Sequence, residues 1–262
     1  MQNRASSSAQ VISQATQSLT RGLFEYSGLR DLRLKGFKDV TTVYEVLGES
    51  GIQNRFEALR SHATPLIGRK RELAVLQRCW LATQEGRGQV ITISGEAGIG
   101  KSRLLSEFAA TLSNVSHFLL RFFGSPEHIA SPFHPFIMQL KDAAGFAPTD
   151  TAQIKREKLA KLVRADTKRR AHLDTLADLL AVPTDNAPLP PQVRKDRTFA
   201  TLLNQIRDLR RVAPLVIVFE DAHWIDASSL ELLELLVTSI TAHPIMLIVT
   251  SRPEFTPPWH AA

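Results

Sequence analysis

Cysteine is nearly absent: Cys79 is alone among 262 residues. One thiol cannot close an internal disulfide or build a cysteine-rich zinc site. Long apolar runs are also missing. The longest, such as LVIVF after Pro214, hold about five residues, whereas a membrane-spanning helix needs ~20. The N-terminal MQNRASSSAQ lacks the apolar stretch of a secretory signal. Glycine and proline, at 13 and 14 residues, are too sparse for a fibrous or low-complexity chain. These absences set the expectation of a soluble, cytoplasmic protein in reducing surroundings, with no membrane partner. Excess charge of either sign is small. The 32 basic and 26 acidic residues leave a net +6, which permits an anionic ligand without requiring one.

What is present is ordinary globular composition, 44% hydrophobic and 22% charged. The length fits one large domain or two small ones. No internal repeat is visible. Four short apolar runs read as buried strands: Val90–Ser94, Phe118–Phe123, Leu215–Phe219 and Ile245–Thr250. Their continuous apolarity suits a parallel sheet covered on both faces. Amphipathic helices are expected between them. Leu104, Leu105, Phe108, Ala109 and Leu112 share one helical face, and Phe199, Leu202, Leu203, Ile206 and Leu209 share another. Ser228 with Glu231 reads as a capping box opening a helix to about Ile240. Alternating strands and helices predict an α/β fold with an open parallel sheet and flanking helices. A basic, helix-rich insertion occupies about 147–197.

The strongest chemical signal is GEAGIGKS: Gly95, Glu96, Ala97, Gly98, Ile99, Gly100, Lys101 and Ser102. It satisfies every fixed position of G-x-x-x-x-G-K-[ST], with an expected strand before it and a helix after it. Glycines let the backbone turn tightly and point N–H groups inward, and the following helix adds its positive end. Lys101 can reach β- and γ-phosphates, and the Ser102 hydroxyl can ligate Mg²⁺. More than a hundred residues later, LVIVFEDAHWID ends an apolar strand in two acids, Glu220 and Asp221. A magnesium-nucleotide site needs a carboxylate at this strand edge, and a second acid can orient or deprotonate water. By position, Glu220 is the magnesium carboxylate and Asp221 the water-activating group. Asp226 reads as a turn or helix-start residue, and His223 with Trp224 as a packing pair. Arg252 comes after a buried strand, where its bidentate charge can sense the γ-phosphate.

Together PLIGRKREL (Pro65–Leu73), GEAGIGKS, VFEDAHWIDASSLELL and VTSRPEF resemble the STAND or origin-recognition-like class of AAA-type P-loop ATPases over about residues 62–262. The resemblance implies a sheet of order 5-1-4-3-2, of which the four strands would be 1 to 4. It implies that Ile67, Gly68 and Arg69 lie near the adenine and ribose, that Arg103 joins the phosphate-loop contacts, and that Arg252 is the sensor-1 arginine. ATP and Mg²⁺ are the implied ligands, with slow hydrolysis switching a multidomain regulator. The order Asp then Glu of many related ATPases is reversed in Glu220–Asp221, which leaves both acids as candidates for metal and catalysis.

Residues Gly22 to Ser50, GLFEYSGLRDLRLKGFKDVTTVYEVLGES, resemble the last strands of a class III adenylate/guanylate cyclase domain, through Leu34–Gly36 and the V-Y-E-V strand. That implies an incomplete cyclase end at 1–50, a small α+β remnant, then a linker at 51–64 and an ATPase domain at 65–262. The segment Arg121 to Leu140 resembles the stretch after the phosphate-loop helix in bacterial cyclase–ATPase fusions. The cyclase's metal-binding aspartates and Asn/Arg pair would lie upstream of Met1, so no cyclase activity is expected, and Lys35 reads as a hairpin residue. A fifth strand, helical lid and winged helix would come after the last residue. Their lack would leave an open edge inviting self-association, and binding of ATP·Mg would be weak. ATP and ADP are therefore the expected small-molecule partners. Intramolecular cyclase and downstream regulatory domains are the expected protein partners. Two other readings are a nucleotide-gated binding module without turnover and the ATPase part of a transcriptional regulator.

The basic residues within Ile154–Arg170 lack interleaved aromatics and are interrupted by Glu157 and Asp166. They read as a solvated helix face, so nucleic acid is not an expected partner. No histidine spacing suggests a metal site. Cys79 shares a helix with Leu76 and Trp80 and reads as core.

Overall fold

The computed structural model describes residues 10–19, 24–28, 32–33, 40–49, 67–112, 116–163, 165, 167–184, 187, 189–240 and 243–259. The chain divides into two compact units, Met1–Ile67 and Gly68–Ala262.

In the first unit, β1 (Gln10–Ser13) runs directly into α1 (Gln14–Leu19), where the Thr16 N–H donates to Ser13 Oγ at 3.3 Å. Two further strands are β2 (Phe24–Gly28) and a short β3 (Leu32–Arg33), which pairs with β4 (Val40–Thr41). The long β5 (Val43–Glu49) lies between β1 and β2, antiparallel to both. Val43 is fully buried, and Tyr26 meets Tyr44 edge-on across β2 and β5 at 6.4 Å. The V-Y-E-V segment is thus the centre of a sheet. Leu34–Gly36, including Lys35, lies outside the described residues.

The second unit opens with α2 (Lys70–Gln84) and β6 (Gln89–Ser94), then α3 (Lys101–Thr111) and β7 (Phe118–Phe123). Next come α4 (His134–Ala143), α5 (Ala152–Leu162), α6 (Arg169–Leu179) and α7 (Pro191–Leu209). The chain then enters β8 (Leu215–Glu220), α8 (Ala227–Ile240) and β9 (Ile245–Ser251). The four strands form one parallel sheet in the order β6-β9-β8-β7. In chain order this is 1-4-3-2, as the motif resemblance implies.

Burial depends on position in the sheet. Every residue of the central β8 and β9 is buried. The expectation of four buried strands fails at the edges. Exposure alternates along β6, with Val90, Thr92 and Ser94 open to solvent, and Leu119 of β7 is exposed as well. An edge strand has a neighbour on one side only, so apolar composition alone does not enclose it. The expected helical faces do pack inward. Leu104, Leu105, Phe108 and Leu112 are buried from α3, and Phe199, Leu202 and Ile206 from α7.

Three local expectations are corrected. The helix α8 is capped by Asp226, not by Ser228 and Glu231. Asp226 Oδ1 accepts from the Ser229 N–H at 2.9 Å, and Oδ2 accepts from Ser229 Oγ at 2.6 Å. Glu231 instead pairs with Lys195 of α7 at 2.5 Å. Asp226 is buried and also accepts from the Phe133 N–H at 2.9 Å. It therefore ties α8 to the turn before α4, with three donors offsetting the desolvation of its charge. The basic stretch is not simply a solvated face. Lys158 binds Asp150 and the Gly145 carbonyl, Arg156 pairs with Asp174, Lys155 lies over Phe146, and Arg169 donates to the Ala160 carbonyl. These bonds knit the helical insertion together. Cys79 is half-buried rather than core.

Candidate functional site

The C-terminal edge of the sheet brings the separated motifs together. Ser94 and Ser251 are at the same level on β6 and β9, and the ladder continues one step further, with the Gly95 N–H donating to the Ser251 carbonyl at 3.2 Å. On the other side of β9, Thr250 Oγ1 accepts from the Asp221 N–H at 3.0 Å. The end of β9 thus holds both the start of the glycine loop and the acid after β8.

Within the loop, Gly98 and Gly100 have φ of 78° and 95°, values L side chains rarely adopt. A Cβ on either would meet open space, so backbone conformation rather than crowding reserves these positions for glycine. No side chain caps α3. Among the described residues, the N–H groups of Gly98, Gly100, Lys101 and Ser102 have no hydrogen-bond acceptor. Lys101 Nζ donates to the Gly95 carbonyl at 2.6 Å and the Glu96 carbonyl at 3.0 Å, so its ammonium lies over the loop. Ser102 is half-buried in the first turn of α3. Glu96, Ala97 and Ile99 are exposed, and Arg103 is 4.0 Å from Glu107.

Arg69, at the start of α2, pairs with Glu72 at 2.9 Å and donates to the Ile99 carbonyl at 3.1 Å. It braces the loop from outside. Gly68 has a φ of 78°, and Ile67 is 87% exposed.

The two acids have unlike surroundings. Glu220 is 4% exposed, and its carboxylate is engaged by Arg121 on the adjacent β7. Glu220, the expected magnesium ligand, is in this structure half of an ion pair, with side-chain exposures of 16% for Arg121 and 5% for Glu220. Asp221 is exposed and left-handed, with a φ of 54°. Aspartate tolerates that region better than most residues. Gly124 makes the turn possible, because a Cβ there would lie 2.3 Å from the Asp221 carbonyl oxygen. Gly124→Ala is expected to displace Asp221 and cost about 1–3 kcal/mol, the usual range for overpacking. A lower melting temperature together with reduced turnover would show this, and unchanged values would refute it.

His223 and Trp224 do pack together, at 5.0 Å between rings. Arg252 lies over the Trp224 ring at 5.7 Å. His223 is also part of the charged neighbourhood. Burial pushes its pKa below the usual 6.5. Asp221 and Glu254 oppose that shift, while Arg252 and Lys101 reinforce it. Both ring nitrogens, like Ser251 Oγ at the end of β9, are buried without a hydrogen-bond partner. With a depressed folded-state pKa, the unfolded chain takes up the proton first, so stability present above about 6.5 is lost as pH falls through the folded value. His223→Gln is expected to lessen the drop in melting temperature between pH 7.5 and 5. An identical slope in both proteins would contradict the assignment.

Sequence reasoning missed Arg121, Gly124 and Thr250 and undervalued His223. Arg121 carried a usable signal, because a lone charge inside FLLRFF requires a buried partner. Glu220, ending another apolar strand, was the natural candidate. Among the described residues, no group of three or more His, Cys, Asp or Glu could hold a metal ion. Ser102 and Asp221 nevertheless offer the hard oxygen donors that suit Mg²⁺, which usually keeps phosphate and water ligands as well. No helix among the described residues is long and apolar enough to cross a membrane.

A parallel α/β sheet whose first strand leads through GEAGIGKS into a helix defines a P-loop NTPase fold. Within that class the chain belongs to the AAA ATPase domain family, whose sequence profile matches residues 65–249. Membership supports nucleotide binding, and AAA ATPases generally use ATP and Mg²⁺. The chain is also similar to an uncharacterized protein of Rhizobium meliloti (strain 1021), 29% identical over 251 residues. That match covers 95% of this chain and 24% of the relative, so the chain spans about a quarter of the relative's length.

Proposed function

We propose that this chain is an ATP-dependent switch module of a larger signalling protein, in which nucleotide binding and then slow hydrolysis change the arrangement of attached domains. The carrying observation is the set of N–H groups of Gly98, Gly100, Lys101 and Ser102 without an acceptor among the described residues, with the Lys101 ammonium over the same loop. These donors suit a chain of phosphates. Ser102 Oγ would hold Mg²⁺, which when bound neutralises negative charge on the β- and γ-phosphates. Asp221 would accept hydrogen bonds from water beside the γ-phosphate and orient it for attack. Arg252, fixed by Trp224, would read the γ-phosphate. Glu220, bound to Arg121, would serve as a brace, leaving one of the two acids open to solvent and turnover slow.

Two observations support the multidomain setting. The Rhizobium relative is about four times as long as the matched region, and the match extends into both units of this chain. The resemblance of Gly22–Ser50 to a cyclase end links the switch to nucleotide-cyclase signalling.

The test is titration of the purified chain with a fluorescent ATP analogue and with ADP, with and without Mg²⁺, alongside phosphate release. Saturable binding and turnover below about 0.01 s⁻¹, the range of unassisted switch NTPases, are expected. No binding at ~1 mM nucleotide, a free energy of only about 4 kcal/mol, would sink the proposal. Rapid turnover would replace the switch with an ordinary hydrolase.

A further inference from the structure

A cavity of about 700 Å³ lies beside β7, the sheet edge opposite the glycine loop. Its wall is apolar: Phe118, Leu120 and Phe122 from one face of β7, Leu140 from α4, and Leu202 and Ile206 from α7. Phe122 is fixed by stacking on Phe219 at 4.5 Å and by contact with Phe136 at 4.6 Å. The volume is within the ~300–1,000 Å³ typical of small-molecule sites.

The mouth has a different character. Lys161 from the end of α5, His172 from α6 and Arg211 from the turn after α7 also line the cavity, with Lys161 and Arg211 exposed to solvent. The acid there, Asp208, already binds Arg211 at 3.2 Å. The side chains of Lys161 and His172 have no hydrogen-bonding or ionic partner among the described residues. An apolar interior below an excess of positive charge matches a molecule with an apolar body and one anionic end. An uncharged hydrophobe would gain nothing from Lys161, and a fully polar anion would leave the phenylalanines and leucines in contact with water.

We propose that this cavity binds a small amphipathic carboxylate, its aliphatic or aromatic body against β7 and α7 and its carboxylate at Lys161 and Arg211. The site shares no lining residue with the glycine loop, so this inference does not rest on the nucleotide reading.

Calorimetric titration of the full chain with decanoate, and with decanol as its uncharged counterpart, tests it. Decanoate is expected to bind one to one and at least about tenfold tighter than decanol, the effect of one charge-assisted contact. The double variant Lys161→Ala, Arg211→Ala should lose that preference while binding decanol as before. Ala143→Trp, at an exposed position lining the cavity, should block both ligands. If it does not melt cooperatively, Gln205→Trp serves the same purpose. Equal affinity for the two probes, binding that survives the filled cavity, or no decanoate binding at ~1 mM would each overturn the proposal.

Discussion

Lys101→Ala is expected to weaken MgATP binding by about 10- to 150-fold while the protein stays folded. The ammonium donates to the Gly95 and Glu96 carbonyls, so it already lies over the glycine loop. On binding, those two acceptors would be exchanged for phosphate oxygens, and the new bonds would join opposite charges. A hydrogen bond between charged partners contributes about 1.5–3 kcal/mol, which sets the stated range. Stability should change little, because a half-buried lysine at the start of a helix contributes little to the core. Fluorescence titration with the ATP analogue measures the loss, and a thermal melt checks the fold. An affinity unchanged by the substitution would mean that the nucleotide, if bound at all, lies elsewhere. Arg69 supplies a useful contrast. Its bond to the Ile99 carbonyl braces the loop without crossing it, so Arg69→Ala should cost less than Lys101→Ala.

The phosphate loop was legible because its chemistry is local. Glycines at 98 and 100, a lysine and a serine are specified by consecutive backbone geometry, which a linear motif records. The parallel sheet was legible for a similar reason, since short apolar runs alternated with amphipathic helices. Features set by lateral neighbours were not legible. The pattern of β6 does not say that it is an edge, so Val90 and Thr92 read as buried when they are not. Ser228 and Glu231 have capping-box spacing, yet Asp226 wins the helix start because it also satisfies the Phe133 N–H more than ninety residues away. The roles of Glu220 and Asp221 were ambiguous for the same reason. What distinguishes their surroundings is Arg121 on the neighbouring strand and Thr250 on the other side. The lone charge in FLLRFF hints at the first contact, but nothing along the chain points to the second.

That separation leads to the largest expected effect on catalysis. Asp221→Asn should lower ATP turnover by about 10²–10⁴-fold, the range for losing a positioned acid–base group, while ATP affinity stays within about threefold. Glu220→Gln should behave differently. Its carboxylate is buried against Arg121, so the variant replaces an ion pair with a hydrogen bond from the still-charged guanidinium to a neutral amide oxygen. Disturbing a buried pair costs up to about 3–5 kcal/mol when one charge is left alone, and glutamine retains an acceptor, so the loss should be smaller. A lower melting temperature with turnover reduced less than about tenfold is the expected signature, within the modest effect of a residue that acts by positioning. Arg121→Met should be worse for stability than Glu220→Gln, because it strands the buried carboxylate without any donor. Adding Glu220→Gln to Arg121→Met should then recover part of the loss. The opposite ranking, with Glu220→Gln abolishing Mg²⁺-dependent binding and Asp221→Asn nearly silent, would show that the ion pair opens during the cycle and that Glu220 carries the metal. Measuring turnover, Mg²⁺ dependence and melting temperature on these four variants separates the two, since a brace changes stability first and a site carboxylate changes rate first.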